Sequence, residues 1–330
     1  MQGVVLQGTE PAITDRPEPV PTPGDVLLRP TLVGVTRADL AVLDPRAAHA
    51  FTLGHEFVGV VERPEGALRK GTRVVGSPII PCGVCALCRR GLWAHCPDRA
   101  ILGLWRRDGC LAERFTLPAA NLVEVPRALP DEAALFAGIV AGALRVAQSV
   151  RIEGKTYITV LGDGPVGLIT AQVLARLNAS VRLLGTHPAK FALCEKWRVK
   201  HRHVAEVGRL RDQDIVVDCT GSPGALDLAL DLVRPRGTIV ARSAAAYAPP
   251  TPHPADPPRV DLTRLVAHEI TLMGVDASTP PSLLREALDA LAAAHADVSA
   301  LITRRIRFAS APDAFRDARA PDALRVVVTM

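Results

Sequence analysis

Residues 162 to 167 read Gly162-Asp163-Gly164-Pro165-Val166-Gly167, and what flanks them decides what the turn means. The apolar run Tyr157 to Leu161 before it has strand composition, and Gly167 to Leu177 after it has helical periodicity. Alone, three spaced glycines are a weak sign, because many loops carry them. Between a strand and a helix they permit the tight turn and let a pyrophosphate approach the positive end of the helix. Gly162, Gly164, Pro165, Val166 and Gly167 are therefore candidate cofactor contacts, and the chain is constrained to a doubly wound parallel sheet of α/β type.

The rest of that half agrees. Strands are expected at Val181 to Leu184, Asp214 to Asp218 and Thr238 to Ala241, alternating with helices at Pro188 to Trp197 and Ala225 to Val233. A Pro-rich loop, Ala248 to Pro258, leads to an apolar strand from Glu269 to Val275, a helix from Ser282 to Ala294 and a final strand from Leu324 to Val328. Before residue 120 the texture is different. Short strands at Gly3 to Leu6, Asp25 to Pro30, Phe57 to Glu62 and Thr72 to Val75 are divided by Pro and Gly, which suggests a compact β-barrel-like domain.

After the second strand of the parallel sheet, a dinucleotide site that takes NAD carries Asp or Glu for the ribose hydroxyls. This chain reads Gly185-Thr186-His187-Pro188-Ala189-Lys190, with no carboxylate, while Thr186, His187 and Lys190 could donate to a 2′-phosphate. NADP(H) is expected to be favoured over NAD(H), with Gly185 leaving room for the phosphate.

Four of the seven cysteines stand at Cys82, Cys85, Cys88 and Cys96. Four thiolates so spaced can close a tetrahedral zinc site of structural kind, one ion per chain, in a lobe at about 80–100. A disulfide pair is disfavoured in a cytoplasmic chain, and an iron–sulfur run would place three residues, not seven, before its last cysteine. Cys110, Cys194 and Cys219 are expected to be buried small residues.

Composition excludes more than it assigns. The 330 residues, 48% hydrophobic and 22% charged, suit two globular domains. The formal charge of +5 comes from scattered arginines without a long basic run, so no nucleic-acid partner is expected. No signal peptide is visible, and Ala133 to Leu144 is too short to span a bilayer, so a cytoplasmic location without membrane association is expected. The apolar strand from Glu269 should lie at a sheet edge and pair with another copy, as a homodimer or homotetramer.

Taken together, Gly54-His55-Glu56, the cysteine lobe, Asp108-Gly109-Cys110-Leu111-Ala112-Glu113, the glycine turn and Cys219-Thr220-Gly221-Ser222-Pro223 resemble the medium-chain zinc-dependent dehydrogenase/reductase superfamily. The resemblance covers essentially the whole chain, and the segment Leu232 to Val240 is similar to threonine-dehydrogenase-like members. It implies a GroES-like β-barrel catalytic domain over 1–138, a Rossmann cofactor domain over 139–275, and a segment over 276–330 that returns to the catalytic domain. It also brings in Thr220, Ser243 and Arg325 as cofactor contacts.

The same resemblance exposes a departure. Members of this superfamily hold a catalytic zinc with a Cys from an early G-x-C-x-[ST]-D motif, the His of G-H-E, and a later Cys or Glu. Here the early motif is Gly34-Val35-Thr36-Arg37-Ala38-Asp39, and the later position is Ala137 or Gly138. His55, Glu56 and Asp39 are retained, and Asp39 is expected to orient His55. One imidazole and at most one carboxylate do not make a three-ligand catalytic site.

Three readings stay open. The first is a reductase moving hydride from NADPH to a carbonyl or activated alkene of a small-molecule substrate, with Thr36 or His55 stabilising or protonating the oxyanion. The second is a non-catalytic nucleotide-binding sensor. The third is an ordinary zinc alcohol dehydrogenase with an unusual ligand set such as His49, His55 and Glu56. Candidate pocket residues include His49, Phe51, Trp93, Trp105 and Tyr247.

Overall fold

The computed structural model describes residues 1–44, 50–177, 180–208, 210–242, 260–276 and 278–330. The chain opens with the hairpin β1 (Gln2–Gln7) and β2 (Glu10–Asp15), then β3 (Asp25–Val35), helix α1 (Arg37–Ala41), β4 (Glu56–Arg63), β5 (Arg73–Gly76) and β6 (Ile79–Ile80). The short helix α2 (Ala86–Arg89) lies among the cysteines and is followed by β7 (Ala100–Leu102), β8 (Arg106–Arg107), β9 (Phe115–Pro118) and β10 (Leu122–Glu124). Helices α3 (Asp131–Ala134) and α4 (Ala137–Ser149) lead into the second half. There β11 (Tyr157–Leu161), α5 (Pro165–Ala175), β12 (Ser180–Gly185), α6 (Phe191–Lys196), β13 (Lys200–His203), β14 (Gln213–Asp218), α7 (Pro223–Leu232) and β15 (Val233–Ala241) alternate. The remainder holds α8 (Leu262–Ala267), β16 (Thr271–Gly274), α9 (Pro281–Ala292), β17 (Ile302–Arg307), α10 (Ala311–Asp317) and β18 (Arg325–Thr329).

Strands β11 to β16 form one parallel sheet in the order β13-β12-β11-β14-β15-β16. This is the dinucleotide-binding order, in which the crevice opens at the carboxyl ends of β11 and β14, where the strand order reverses. The central strands are apolar because helices cover both faces: Ile158, Val160, Val216 and Val217 are all fully buried. The other large sheet runs β10-β5-β4-β3-β18-β17, with β9 also paired to β3, and β18 lies antiparallel to β3. The expected combination of a GroES-like β-barrel with a Rossmann sheet is thus the fold of this chain.

The structure differs from the sequence expectations where an element lacks an apolar signal. The helix expected from Pro188 to Trp197 divides into a 3-10 turn at Pro188–Lys190 and α6. Strand β13 is composed of Lys-His-Arg-His and was not foreseen: it sits at the sheet edge, where only one neighbour must be satisfied. The Pro-rich loop, Ser243, Tyr247 and His49 lie outside the described residues. No helix among the described residues is long and apolar enough to cross a membrane.

Candidate active site

A cavity of about 400 Å³ opens between the two large sheets, lined by Thr36, His55, Glu56, Ala137, Gly138, the turn from Asp163 to Gly167, and Arg325. Thr36 starts α1: its hydroxyl accepts from the Ala38 and Asp39 amides and donates to Asp39 Oδ2 at 2.8 Å, while Asp39 Oδ2 also accepts from the Thr36 amide. This reciprocal cap fixes Asp39, whose other oxygen lies 2.9 Å from His55 Nδ1. Both carboxylate and imidazole are only 1% exposed.

Burial alone would push the Asp39 carboxyl up, but the charge and hydrogen bond of His55, helped by Thr36, outweigh it and leave Asp39 below the ordinary carboxylate range. Burial likewise disfavours a charged His55, yet Asp39, with Glu56 adding to it, holds the imidazole above its ordinary value. Arg325 lies on the far side, with Nη1 3.1 Å from Glu56 Oε2 and 3.2 Å from the Val35 carbonyl. That ion pair is badly aligned, since neither Glu56 Oε2 nor Arg325 Nε makes a hydrogen bond.

Ala137 opens α4 and faces the cavity together with Gly138, so neither aligned position brings a metal ligand. Among the described residues, the one group of three or more His, Cys, Asp or Glu side chains gathered closely enough for an ion is Cys82, Cys85, Cys88 and Cys96. Their sulfurs lie 3.5 Å (Cys85–Cys88), 3.8 Å (Cys85–Cys96) and 4.0 Å (Cys82–Cys88) apart. Four thiolates about 2.3 Å from one zinc at tetrahedral angles sit about 3.8 Å apart, so the cluster fits the ion. Backbone amides of Val84 and Cys85 draw the Cys82 thiol down to about 7, whereas burial pushes Cys88 up to about 12 and raises Cys96, so metal binding must displace protons from the cluster.

In the glycine turn, Gly162 has φ +109°, and a Cβ on Gly167 would collide with the Gly162 carbonyl oxygen. Gly164 caps α5 and Pro165 occupies its first turn. The sequence expectation at the end of β12 needs correction. A carboxylate is present there, supplied not by β12 but by Asp163 from the turn. Its Oδ2 accepts from the Thr186 amide at 2.8 Å and the His187 amide at 2.7 Å, and the His187 ring and Lys190 Nζ stand 3.1 and 4.0 Å from Oδ1. Burial raises the Asp163 pKa, but these bonds from His187 and Thr186 outweigh it, so the group stays ionised. Gly185 consequently leaves no open room, because a Cβ there would meet the Asp163 carboxylate at 2.5 Å.

Of the other candidates, His187 and Lys190 line the cavity, Thr186 is exposed outside it, and Thr220 is turned back to Asp218 Oδ1 at 2.7 Å. Trp93, Trp105 and Phe51 are not among the lining residues. Cys110 and Cys194 are buried as expected, whereas Cys219 faces the cavity beside Arg242, a residue the sequence reading passed over. The signal was a lone charge ending the apolar run Thr238 to Ala241.

Residues 22–127 match the family described as alcohol dehydrogenase GroES-like domain, and residues 165–293 that of zinc-binding dehydrogenases. An L-threonine 3-dehydrogenase of Mesorhizobium japonicum is 30% identical over 70% of this chain and 70% of its own. Among solved structures, the alcohol dehydrogenase TADH from Thermus sp. ATN1 superposes with a TM-score of 0.87 at 25% identity, covering 100% of this chain and 99% of that one. A zinc-binding dehydrogenase from Sinorhizobium meliloti 1021, solved with NADP bound, gives 0.86 at 25% identity over 100% and 99%.

Proposed function

Because this chain belongs to the medium-chain, zinc-binding alcohol dehydrogenase family, we propose that it is a nicotinamide-dependent reductase of a small carbonyl compound or activated alkene that works without a catalytic zinc. The observation that carries this reading is the replacement of a ligand set by a hydrogen-bonded one: Thr36, Asp39 and His55 are joined in series, and Ala137 and Gly138 offer nothing. A bound reduced nicotinamide supplies the hydride. Asp39 holds His55 in orientation and favours its protonated form, and His55 gives the proton to the developing oxyanion. Thr36 does not take that part, because its hydroxyl proton is committed to Asp39. Substrates already polarised by conjugation suit a site that lacks a Lewis acid.

Glu56 leans toward Arg325, which counts against its use as a zinc ligand in the third reading. The test is direct. Purified protein should carry one zinc per chain and consume reduced cofactor with enones, quinones or aldehydes. Two zincs per chain would restore the ordinary zinc mechanism, and cofactor binding without any turnover would favour the sensor.

The division into a catalytic part over 1–138, a cofactor part over 139–275 and a returning segment over 276–330 is part of the same reading. The preference for NADP rests on weaker ground than the sequence suggested, since Asp163 occupies the amides that a 2′-phosphate would need and faces it with a negative charge. We expect NADH to bind at least as tightly as NADPH. Asp163→Ser should shift the affinity ratio toward NADPH by about tenfold or more, as befits a charge-assisted hydrogen bond. A ratio unmoved in titrations of both cofactors would defeat this role for Asp163.

Self-association through β16 belongs to the proposal too. This strand is the sheet edge, with Leu272 38% exposed. Light scattering should give a mass of two or four chains, and Leu272→Lys should reduce it to one. A wild-type monomer at micromolar concentration would rule the interface out.

A further inference from the structure

Arg242 follows β15 directly and is 4% exposed, yet its guanidinium has no carboxylate within ion-pair distance among the described residues. Its Nε makes no hydrogen bond at all. Its neighbours are the backbone of α4 at Gly142 and the Cys219 thiol, which burial pushes up to about 11 even though the charge and hydrogen bond of Arg242 oppose it, so the guanidinium has a thiol but no carboxylate beside it. A Cβ on Gly142 would collide with the guanidinium, so glycine there is what lets the arginine lie against the helix. An unpaired buried cation is costly, and one that lines a cavity is a receptor for an anion.

We propose that Arg242 anchors a carboxylate of the substrate, which makes the substrate an oxo- or hydroxycarboxylic acid, or an unsaturated acid, rather than a neutral carbonyl compound. This rests on the reductase reading above and narrows it. Strand order places the anchor's strand apart from the one that leads to the cofactor's phosphates. The pyrophosphate belongs at the start of α5, beyond β11, and β14 lies between β11 and β15. The strands that carry the two sites are thus two spacings apart, about 10 Å, while the guanidinium itself reaches back to Cys219 beside the turn, so titration of NADH is what assigns it to substrate or cofactor. Asp163, at the adenosine end, is on β12's side of the turn, opposite to β15. Of the cations lining the cavity, Lys190 faces Asp163 and Arg325 faces Glu56, whereas Arg242 faces no carboxylate among the described residues. The planar fork of a guanidinium also matches a carboxylate in two parallel hydrogen bonds, which an ammonium cannot reproduce.

The experiment titrates malonate into the zinc-loaded protein with NADH present, at matched ionic strength in chloride, for wild type, Arg242→Gln, Arg242→Lys and Gly142→Ala. Malonate should bind wild type and weaken by tenfold or more in Arg242→Gln and in Gly142→Ala. Arg242→Lys should fall between, and NADH affinity should change less than twofold throughout. Equal malonate affinity in wild type and in an Arg242→Gln protein that still binds NADH would overturn the anchor. Parallel loss of NADH binding would instead give the guanidinium to the cofactor, and that too overturns it. If malonate binds in an Arg242-dependent way while no acid or aldehyde is reduced, the anchor stands and the reductase reading fails.

Discussion

Cys88→Ser is expected to abolish zinc binding, taking the content from one ion per chain to none, and to loosen the lobe from Cys82 to Cys96. A serine hydroxyl is a poor substitute for a thiolate, and a closed tetrahedral site with three sulfurs and one neutral oxygen loses much of its affinity. Little else holds this lobe. Helix α2 spans only Ala86–Arg89, its cap is the Cys85 sulfur accepting from the Cys88 amide at 3.5 Å, and Val84 and Leu92 are exposed. Without an apolar core of its own, the lobe takes its order from the metal, whose binding free energy becomes local folding energy. Elemental analysis reads the first effect, and limited proteolysis between residues 82 and 96 reads the second. Zinc retained at one per chain in Cys88→Ser would mean that the ion sits elsewhere.

The second large effect belongs to the Asp39–His55 pair. His55→Asn should lower turnover by about 10² to 10⁴, the usual worth of a positioned proton donor, while leaving the zinc content unchanged. Asp39→Asn should cost about 3 to 5 kcal/mol of stability, because it leaves a buried imidazole without the charge that offsets its desolvation. The cost should also depend on pH. His55, raised by Asp39 against its burial, contributes fully below its ordinary 6.5 and ceases to as pH rises through its folded value. Asp39, held down by His55 and Thr36 against its burial, contributes fully above its ordinary 3.8 and ceases to as pH falls through its folded value. The difference in melting temperature between wild type and Asp39→Asn should therefore be greatest between these two ordinary values and shrink on the alkaline side. A difference that does not vary with pH would mean that the pair is neutral.

How legible this was in the sequence varied with the kind of signal. Tyr157 to Leu161 was found to the residue, because four of its five positions are buried, all but Thr159 of those are apolar, and a glycine follows the last. The four cysteines were legible from spacing alone, since all fall within one short lobe. The turn that answers β12 was not. The dinucleotide pattern directs attention to the residue ending the second strand, whereas the carboxylate comes from Asp163, 23 residues away from the Thr186 amide it holds. Arg242 escaped for a similar reason: a lone arginine after a strand is ordinary on a surface, and its burial against Gly142 and Cys219 comes only with the fold. Helix α4 was missed because its first seven residues, Ala137 to Ala143, are all Ala, Gly, Ile or Val and pack largely buried toward α5 and α9, so the polar positions that mark its outer face, Arg145, Gln148 and Ser149, come only in its second half.

The pairing of β18 with β3 ties together residues 290 positions apart, as the bond from Arg325 to the Val35 carbonyl illustrates. During synthesis the parallel sheet, whose strands all lie between Tyr157 and Gly274, is complete on the ribosome before β18 has emerged. The first sheet, made earlier, must wait with Leu32 to Val35 of β3 unpaired on the side where β9 covers only Asp25 to Leu28, until β18 has been made. The first sheet thus gains its last pairing only after the second is complete, although its β3–β4, β4–β5 and β3–β9 pairings are available earlier, and the long loop to be closed should make that final pairing slow. In the interval the Leu32–Val35 end of β3 is an open apolar edge, so this nascent chain is exposed to aggregation at an early-made strand rather than at its newest.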